Sequence, residues 1–388
     1  MIDHRPWSII KDKEHMTLKV LSIFGTRPEA VKMAPVVREL ARTPGIEAKV
    51  CVTAQHRQML DQVLDLFKIT PDVDLDLMQP GQSLAGLTAR VFTHLEPVLA
   101  DFQPDWVLVQ GDTTTVMASA LLAYYHQIKV GHVEAGLRTG DKFQPFPEEI
   151  NRRVAGVVAD LNFAPTEWSR QNLLRENTPA EQIIVTGNTA IDALHWVVQQ
   201  PFDFSGLHLP LAAFTNRLVL VTAHRRENFG QPLEEICRAI KTLADHYAGK
   251  VHFVYPVHLN PNVQEPASRI LGDQSHVTLL PPLDYLPLVN LMKRSALVLT
   301  DSGGIQEEAP GLGVPTLVLR NTTERPEGVE AGTLKLVGTD RQVIIREARR
   351  LLDNPVAHAA MSGAKNPYGD GHAAERIVRA ILAYGDGR

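Results

Sequence analysis

The feature that most constrains this chain is a repeated order: a short apolar run, a cluster of polar residues, then a run with the apolar period of a helix. Residues 19–24 lead into Gly-Thr-Arg-Pro-Glu-Ala and a helical run through Val31, Ala34, Val37 and Leu40. Residues 48–53 lead into Gln-His-Arg and a helix over 59–67, and residues 106–109 into Gln-Gly-Asp-Thr-Thr-Thr and a helix through Met117, Leu121 and Leu122. Residues 130–133, 161–164 and 183–185 extend the series, the last followed by Thr-Gly-Asn. Strands that alternate with helices and read as continuous apolar runs specify a parallel sheet covered on both faces, the α/β class. Residues 201–216 break the rhythm with Pro, Gly and Phe in irregular order, as a linker does, and the alternation then resumes at 217–221, 251–257, 296–300 and 316–319. Helical patterns over 340–352 and 373–384 close the chain.

The expected organisation is therefore two Rossmann-like, doubly wound parallel-sheet domains facing across a cleft. A flexible extension spans 1–17, the first domain 18–200, the linker 201–216, the second domain 217–365 and a closing segment 366–388. At 388 residues the chain can hold two ordinary cores. A net charge of -5 supplies no basic footprint for nucleic acid, so any anion must be held by a local cluster. Two cysteines, Cys51 and Cys237, are too few for a disulfide framework or a cysteine metal site, and a reducing, cytoplasmic setting fits best. No apolar run reaches membrane-spanning length, and residues 1–16 lack the apolar core of a signal peptide.

Nearly every cluster of His, Arg, Asp, Glu and Asn falls just after a strand. In an open parallel sheet those loops share one edge, so the clusters are expected to form one site. The densest stretch is 130–153. There Glu134, Arg138 and Asp141 occupy a loop with Gly136 and Gly140 as turn residues, and Phe146-Pro147 places Glu148 and Glu149 in the first turn of a helix. Glu134 and Glu148 read as functional, Glu149 as an ordinary acid at a helix start. Asp112 follows a buried strand and precedes three threonines; it can be catalytic or can cap the next helix.

Ser302, Gly303 and Gly304 read as an N-cap with free backbone N–H groups, an anion site suited to phosphate, and Glu308 stands where a carboxylate can accept from two vicinal hydroxyls such as those of a ribose. Arg27 can fork onto a phosphate and Lys32 can add a point charge, although both can equally be solvated surface. His224, beside Arg225 and directly after a strand, can hydrogen-bond a diphosphate or donate a proton to it. Arg138 and Asn188, each after a strand, are further substrate-binding candidates. Neither a P-loop nor a dinucleotide glycine fingerprint is present, which argues against ATP hydrolysis and NAD chemistry. Asp72-Val-Asp-Leu-Asp has metal-binding spacing but alternates as a half-exposed strand, so no metal and no cofactor are expected.

Taken together, Phe-Gly-Thr-Arg-Pro-Glu-Ala, Gly-Asp-Thr-Thr-Thr, His-Val-Glu-Ala-Gly-Leu-Arg-Thr-Gly, Pro-Glu-Glu-Ile-Asn-Arg, His-Arg-Arg-Glu-Asn, His-Leu-Asn-Pro-Asn, Asp-Ser-Gly-Gly-Ile-Gln-Glu-Glu and Thr-Glu-Arg-Pro-Glu closely resemble the bacterial non-hydrolysing UDP-N-acetylglucosamine 2-epimerases. The resemblance runs from about Leu18 to the end. It implies a GT-B fold whose last helix crosses back to the first domain, a homodimer, and reversible conversion of UDP-GlcNAc to UDP-ManNAc supplying ManNAc for surface polysaccharide. It implies catalytic roles for Asp112, Glu134, Glu148 and His224, and UDP contacts at Arg27, His258, Ser302, Gly303, Gly304, Glu308 and Arg325. It also implies activation by a second UDP-GlcNAc, with Gln55, His56 and Gln58 as candidates for that site. The chemistry agrees: the C2 proton is not acidic, so inversion is expected through loss of UDP to a 2-acetamidoglucal, which needs two proton carriers and stabilisation of a departing diphosphate. The competing readings are a hydrolysing epimerase, a GT-B glycosyltransferase and an idle UDP-sugar-binding regulator.

Overall fold

The computed structural model describes residues 17–54, 57–77, 79 and 81–386. The first sheet contains β1 (Leu18–Phe24), β2 (Ile46–Val52), β3 (Val73–Asp74), β4 (Trp106–Gln110), β5 (Lys129–Val133), β6 (Leu161–Ala164) and β7 (Ile183–Val185). Its spatial order is β3-β2-β1-β4-β5-β6-β7, all parallel. The second contains β8 (Arg217–Thr222), β9 (Val251–Pro256), β10 (Val277–Leu280), β11 (Ser295–Thr300), β12 (Thr316–Val318) and β13 (Leu334–Leu336), in the order β10-β9-β8-β11-β12-β13, again all parallel. Both sheets thus reverse direction of growth beside their first strand, between β1 and β4 and between β8 and β11. Loops leaving the carboxyl ends of those strands open the crevice in which such sheets bind ligands.

The central strands are apolar because helices cover both faces. All five residues of β4 are buried, and Val20, Leu21, Ile23 and Phe24 of β1 are fully enclosed. The helix Arg27–Arg42 begins with a capping box. Thr26 Oγ1 accepts from the Glu29 backbone N–H at 3.4 Å, and the Glu29 carboxylate accepts from the Thr26 N–H at 2.7 Å. Glu148 and Glu149 do open the helix Glu148–Val158, after Pro147. Strands β10 and β13 and the helices Leu84–Phe102 and Tyr285–Arg294 carry weaker sequence signals. β13 has only three residues, and their pairing is supplied by β12.

Residues 201–216, read as a linker, are packed. Phe204, Leu207, Leu209 and Ala213 join the apolar cluster against the second sheet, and the Phe204 ring meets Phe202 at 4.9 Å and Phe214 at 5.7 Å. The last helix, Ala373–Asp386, lies on the first domain. Ala374, Ile377, Val378 and Ile381 enter the cluster formed by Val20, Met33 and Leu40, and Tyr384 meets Trp106 edge-on at 5.2 Å. Enclosing each of the larger three aliphatic side chains contributes about 1.5–3 kcal/mol relative to leaving it in water. Tyr285 and Val289 of the second half join the same cluster. Gly311 lies against Leu194 and Ile191 of the helix Thr189–Val197, so the two halves meet through close-packed helices below the cleft.

Candidate active site

Glu134 sits one residue beyond β5 with φ +64°, a left-handed conformation that a glutamate adopts only when its surroundings hold it there. Three side chains do so. Lys32 pairs with Oε1, Gln110 donates to Oε2, and Asn188 Nδ2 donates to Oε1 at 3.2 Å. Burial alone would push this carboxyl up, but Lys32, Arg325 and the Asn188 amide outweigh it and hold it below the usual carboxylate range. Glu134 is therefore ionised. Lys32, expected as a phosphate contact or a solvated side chain, is 17% exposed and pairs with Glu134, and Gln110 is a site residue that sequence reasoning missed.

Asp112 follows β4. It does not cap the next helix, because Thr113 does, accepting from the Val116 N–H at 3.3 Å. The Asp112 carboxylate meets Arg152 Nη2 at 2.7 Å and keeps 30% exposure. Burial pushes its carboxyl up, Arg152 offsets this in part, and nearby Glu134 and Glu148 add to the rise. Two neighbouring acids are thus driven in opposite directions. Glu148 is half-buried, and its Oε2 is enclosed without a hydrogen-bond partner among the described residues, a position that a ligand donor would satisfy. Glu149 is not the solvated acid expected. It is fully buried and accepts from the Thr139 N–H at 3.2 Å and the Gly140 N–H at 3.3 Å, which ties down the loop between β5 and the helix. Arg138 makes a two-pronged pair with Glu176, at 2.9 and 2.7 Å.

The second domain supplies the basic wall. His224 follows β8 and stacks on His258 with ring centroids 5.5 Å apart. Its loop is held by Asp301, fully buried after β11, which accepts from the His224 N–H at 2.9 Å, the Arg225 N–H at 2.8 Å and Asn228 Nδ2 at 2.9 Å. Burial lowers the His224 imidazole below its usual value, Asp301 opposes this, and His258, Arg225 and Arg27 reinforce it, so the ring is neutral at pH 7. Ser302 is not the N-cap. Gly304 is, without a side-chain cap, and Ser302 stands two residues earlier with its carbonyl accepting from the Gln306 N–H at 3.3 Å. A Cβ added to Gly303 would lie 2.9 Å from Arg325 Nη1 and 3.2 Å from Arg225 Nη2, so a glycine is needed where two guanidinium groups converge. Arg27, at the first position of its helix, reaches across from the first domain. Its charge acts on Glu308, Tyr285 and His224 alike.

Glu308 accepts a hydrogen bond from Tyr285 Oη at 3.0 Å, and burial pushes its carboxyl up from 4.5 to about 7, with the Tyr285 bond opposing the rise. Because the folded value exceeds the unfolded one, the protonated group contributes stability that is complete below pH 4.5 and lost as pH rises through about 7. The gap corresponds to on the order of 3 kcal/mol. Glu308→Gln is expected to flatten the decline of the urea midpoint across that window; an unchanged slope would assign the decline to other groups.

Of the residues proposed for a second ligand, Gln55 and His56 lie outside the described residues, as does the side chain of Gln58 in the helix Arg57–Phe67, and so do residues 1–16. Among the described residues no group of three or more His, Cys, Asp or Glu could hold a metal ion, and no helix is long and apolar enough to cross a membrane. Asp72 instead accepts from the Val50 N–H at 2.8 Å, and Asp74 pairs with Arg57. Cys51 and Cys237 are free and buried, and burial pushes both thiols up to about 12.

Two parallel-sheet domains facing across a cleft, with acids and basic side chains contributed by both halves, define a protein of the GT-B fold. The profile of the UDP-N-acetylglucosamine 2-epimerase family matches residues 38–382, and the chain belongs to that family. It is 58% identical to the UDP-N-acetylglucosamine 2-epimerase of Escherichia coli (strain K12) over 370 residues, covering 94% of this chain and 98% of the relative. A solved structure described as a putative UDP-N-acetylglucosamine 2-epimerase from Listeria monocytogenes superposes with a TM-score of 0.90 at 51% identity, over 96% of this chain and 98% of that one. The UDP-GlcNAc 2-epimerase of Neisseria meningitidis, bound to UDP-GlcNAc, superposes with a TM-score of 0.84 at 49% identity, over 94% of this chain and 100% of that one.

Proposed function

We propose that this protein interconverts UDP-GlcNAc and UDP-ManNAc by eliminating UDP and adding it back, without releasing free sugar. The observation that carries the reading is the different setting of two acids in one site: Glu134 is held by Lys32, Gln110 and Asn188, which lower its carboxyl, whereas Asp112 has Arg152 as its partner and burial raises its carboxyl. Inversion at C2 needs one group to take a proton from one face and another to return one to the opposite face, and environments that drive two acids apart suit such a division of labour. Glu134 takes the C2 proton, the C1–O bond breaks with its electron pair leaving on UDP, and C1 and C2 become doubly bonded. Asp112 then gives its proton to C2 from the other side while the UDP oxygen attacks C1. The two carboxyls have now exchanged states, and exchange with water resets them. Glu148, with its unsatisfied Oε2, accepts a sugar donor.

The departing diphosphate is received by Arg225 and Arg325 at the Gly303 turn, by Arg27 and by the neutral His224, which donates an N–H to it. Glu308 accepts from the ribose hydroxyls. A binding-only role explains Glu308 and the Gly303 turn but gives no reason for three further acids beside them. The reading includes a homodimer, a cytoplasmic setting, delivery of ManNAc units to surface polysaccharide, and activation by UDP-GlcNAc at Gln55, His56 and Gln58.

The test is proton NMR of UDP-GlcNAc with the protein in heavy water. Deuterium at C2 of both UDP-sugars with no free sugar is the expected result. Free ManNAc and UDP would assign a hydrolysing enzyme, and an unchanged spectrum despite binding would overturn the proposal.

A further inference from the structure

We propose that Asn188 is a positioning residue that couples the diphosphate end of the cleft to the carboxylate that moves the C2 proton, an inference that rests on the epimerase reading. Asn188 follows β7 and is anchored twice by its backbone and cap. Its N–H donates to the Tyr368 carbonyl at 2.7 Å, and its Oδ1 accepts from the Ala190 N–H at 2.9 Å, capping the helix Thr189–Val197. Its side-chain NH2 is thereby aimed at two carboxylates from different domains, Glu134 Oε1 at 3.2 Å and Glu307 Oε2 at 2.8 Å. Glu307 in turn accepts from Arg325 Nε at 2.5 Å, and Arg325 Nη1 borders the Gly303 turn. Arg325, Glu307, Asn188 and Glu134 form one buried chain of charge-assisted bonds running from the second sheet to the first, with Asn188 3% exposed at its centre.

An amide NH2 is suited to that place because it carries two hydrogens and no charge. An aspartate there would add a third negative charge, and an aliphatic side chain would leave two enclosed carboxylate oxygens short of a donor. The chain also has a direction. When a diphosphate engages Arg325, Glu307 keeps less of that cation and draws more strongly on the Asn188 amide. The amide then stabilises the Glu134 carboxylate less, and Glu134 becomes more basic while substrate occupies the cleft. Departure of the nucleotide reverses the shift. Neither carboxylate needs to move for the signal to pass, because one shared donor is redistributed between two acceptors.

The test compares wild type with Asn188→Ser, which keeps a capping oxygen for the Ala190 N–H and removes the bridging donor. Because Glu134 loses the amide that fixes the direction of its carboxylate, a loss that outweighs its gain in basicity, the expected result is a kcat lower by about 100-fold, with KM for UDP-GlcNAc and Kd for UDP changed less than about threefold. The limb of the kcat/KM profile that reports the base should move to higher pH, because Glu134 loses a donor. Glu307→Gln leaves the cap intact and should move the same limb to lower pH, because the Asn188 amide then serves Glu134 alone; it decides the matter if the serine variant fails to fold. A raised KM with kcat retained would show that Asn188 simply binds the sugar, and an unmoved limb in both variants would likewise overturn the coupling. Wild-type protein without C2 exchange in heavy water would overturn the epimerase reading itself.

Discussion

Glu134→Gln is expected to lower kcat by about 10²–10⁴-fold, the usual contribution of a positioned acid or base, while the fold is retained. Glutamine preserves the shape of the side chain and can still meet Gln110 and Asn188, but it cannot take a proton. It also leaves Lys32 without the carboxylate that, with Glu307, keeps this amine charged against its burial. Asp112→Asn is expected to have a loss of the same order for the complementary reason, since an amide facing Arg152 cannot deliver a proton to C2. Steady-state turnover and deuterium entry at C2 measure both, and thermal unfolding of each variant separates lost chemistry from lost structure. Exchange at the wild-type rate in both variants would remove the two carboxyls from the mechanism.

The second large effect is expected from Arg325→Met. Arg325 is 11% exposed and pairs with Glu307 at 2.5 Å and Glu324 at 2.8 Å. Burial works against its charge, but Glu307 and Glu324 raise its proton affinity well above the ordinary guanidinium value. Methionine fills much of the same volume but abandons Glu307, whose side chain is 3% exposed. Removing one member of a buried pair typically costs about 3–5 kcal/mol, because the charge left behind keeps its desolvation cost and loses its compensation. Adding Glu307→Gln to Arg325→Met is therefore expected to recover part of the stability, and urea unfolding of the single and double variants measures it. UDP affinity should stay reduced in both, since the lost guanidinium is also a proposed diphosphate contact. Stability equal to wild type in Arg325→Met would show that Glu307 reaches water or another donor at little cost.

The elements most legible in the sequence were those whose signals are local. The apolar runs at β1, β4, β5 and β8 are readable because a strand buried on both faces leaves little room for polar residues. Phe146-Pro147 marks the start of the helix that carries Glu148. β13 was not readable, and β3 is shorter than the half-exposed strand read over residues 72–76, because three or two residues hold strand geometry only through a neighbour that already has it. The packed state of residues 201–216 was hidden too, since Phe202, Phe204 and Phe214 appear irregular until they meet as rings.

By itself, then, the sequence determined the α/β class, the family and the rule that reactive side chains gather where strands end. That rule follows from the geometry of a parallel sheet, which needs no knowledge of which loops face each other. Only the tertiary structure decided the partnerships. Lys32 and Glu134 lie far apart in the chain and are joined because β1 and β5 deliver their loops to the same edge on either side of β4. Arg138 is spent on Glu176, Asp301 holds the His224 loop, and Asn188 bridges acids of both domains. Such pairings depend on distances between residues remote in sequence, and no local pattern encodes them, so the partners of each acid could be assigned only once the chain had been folded around it.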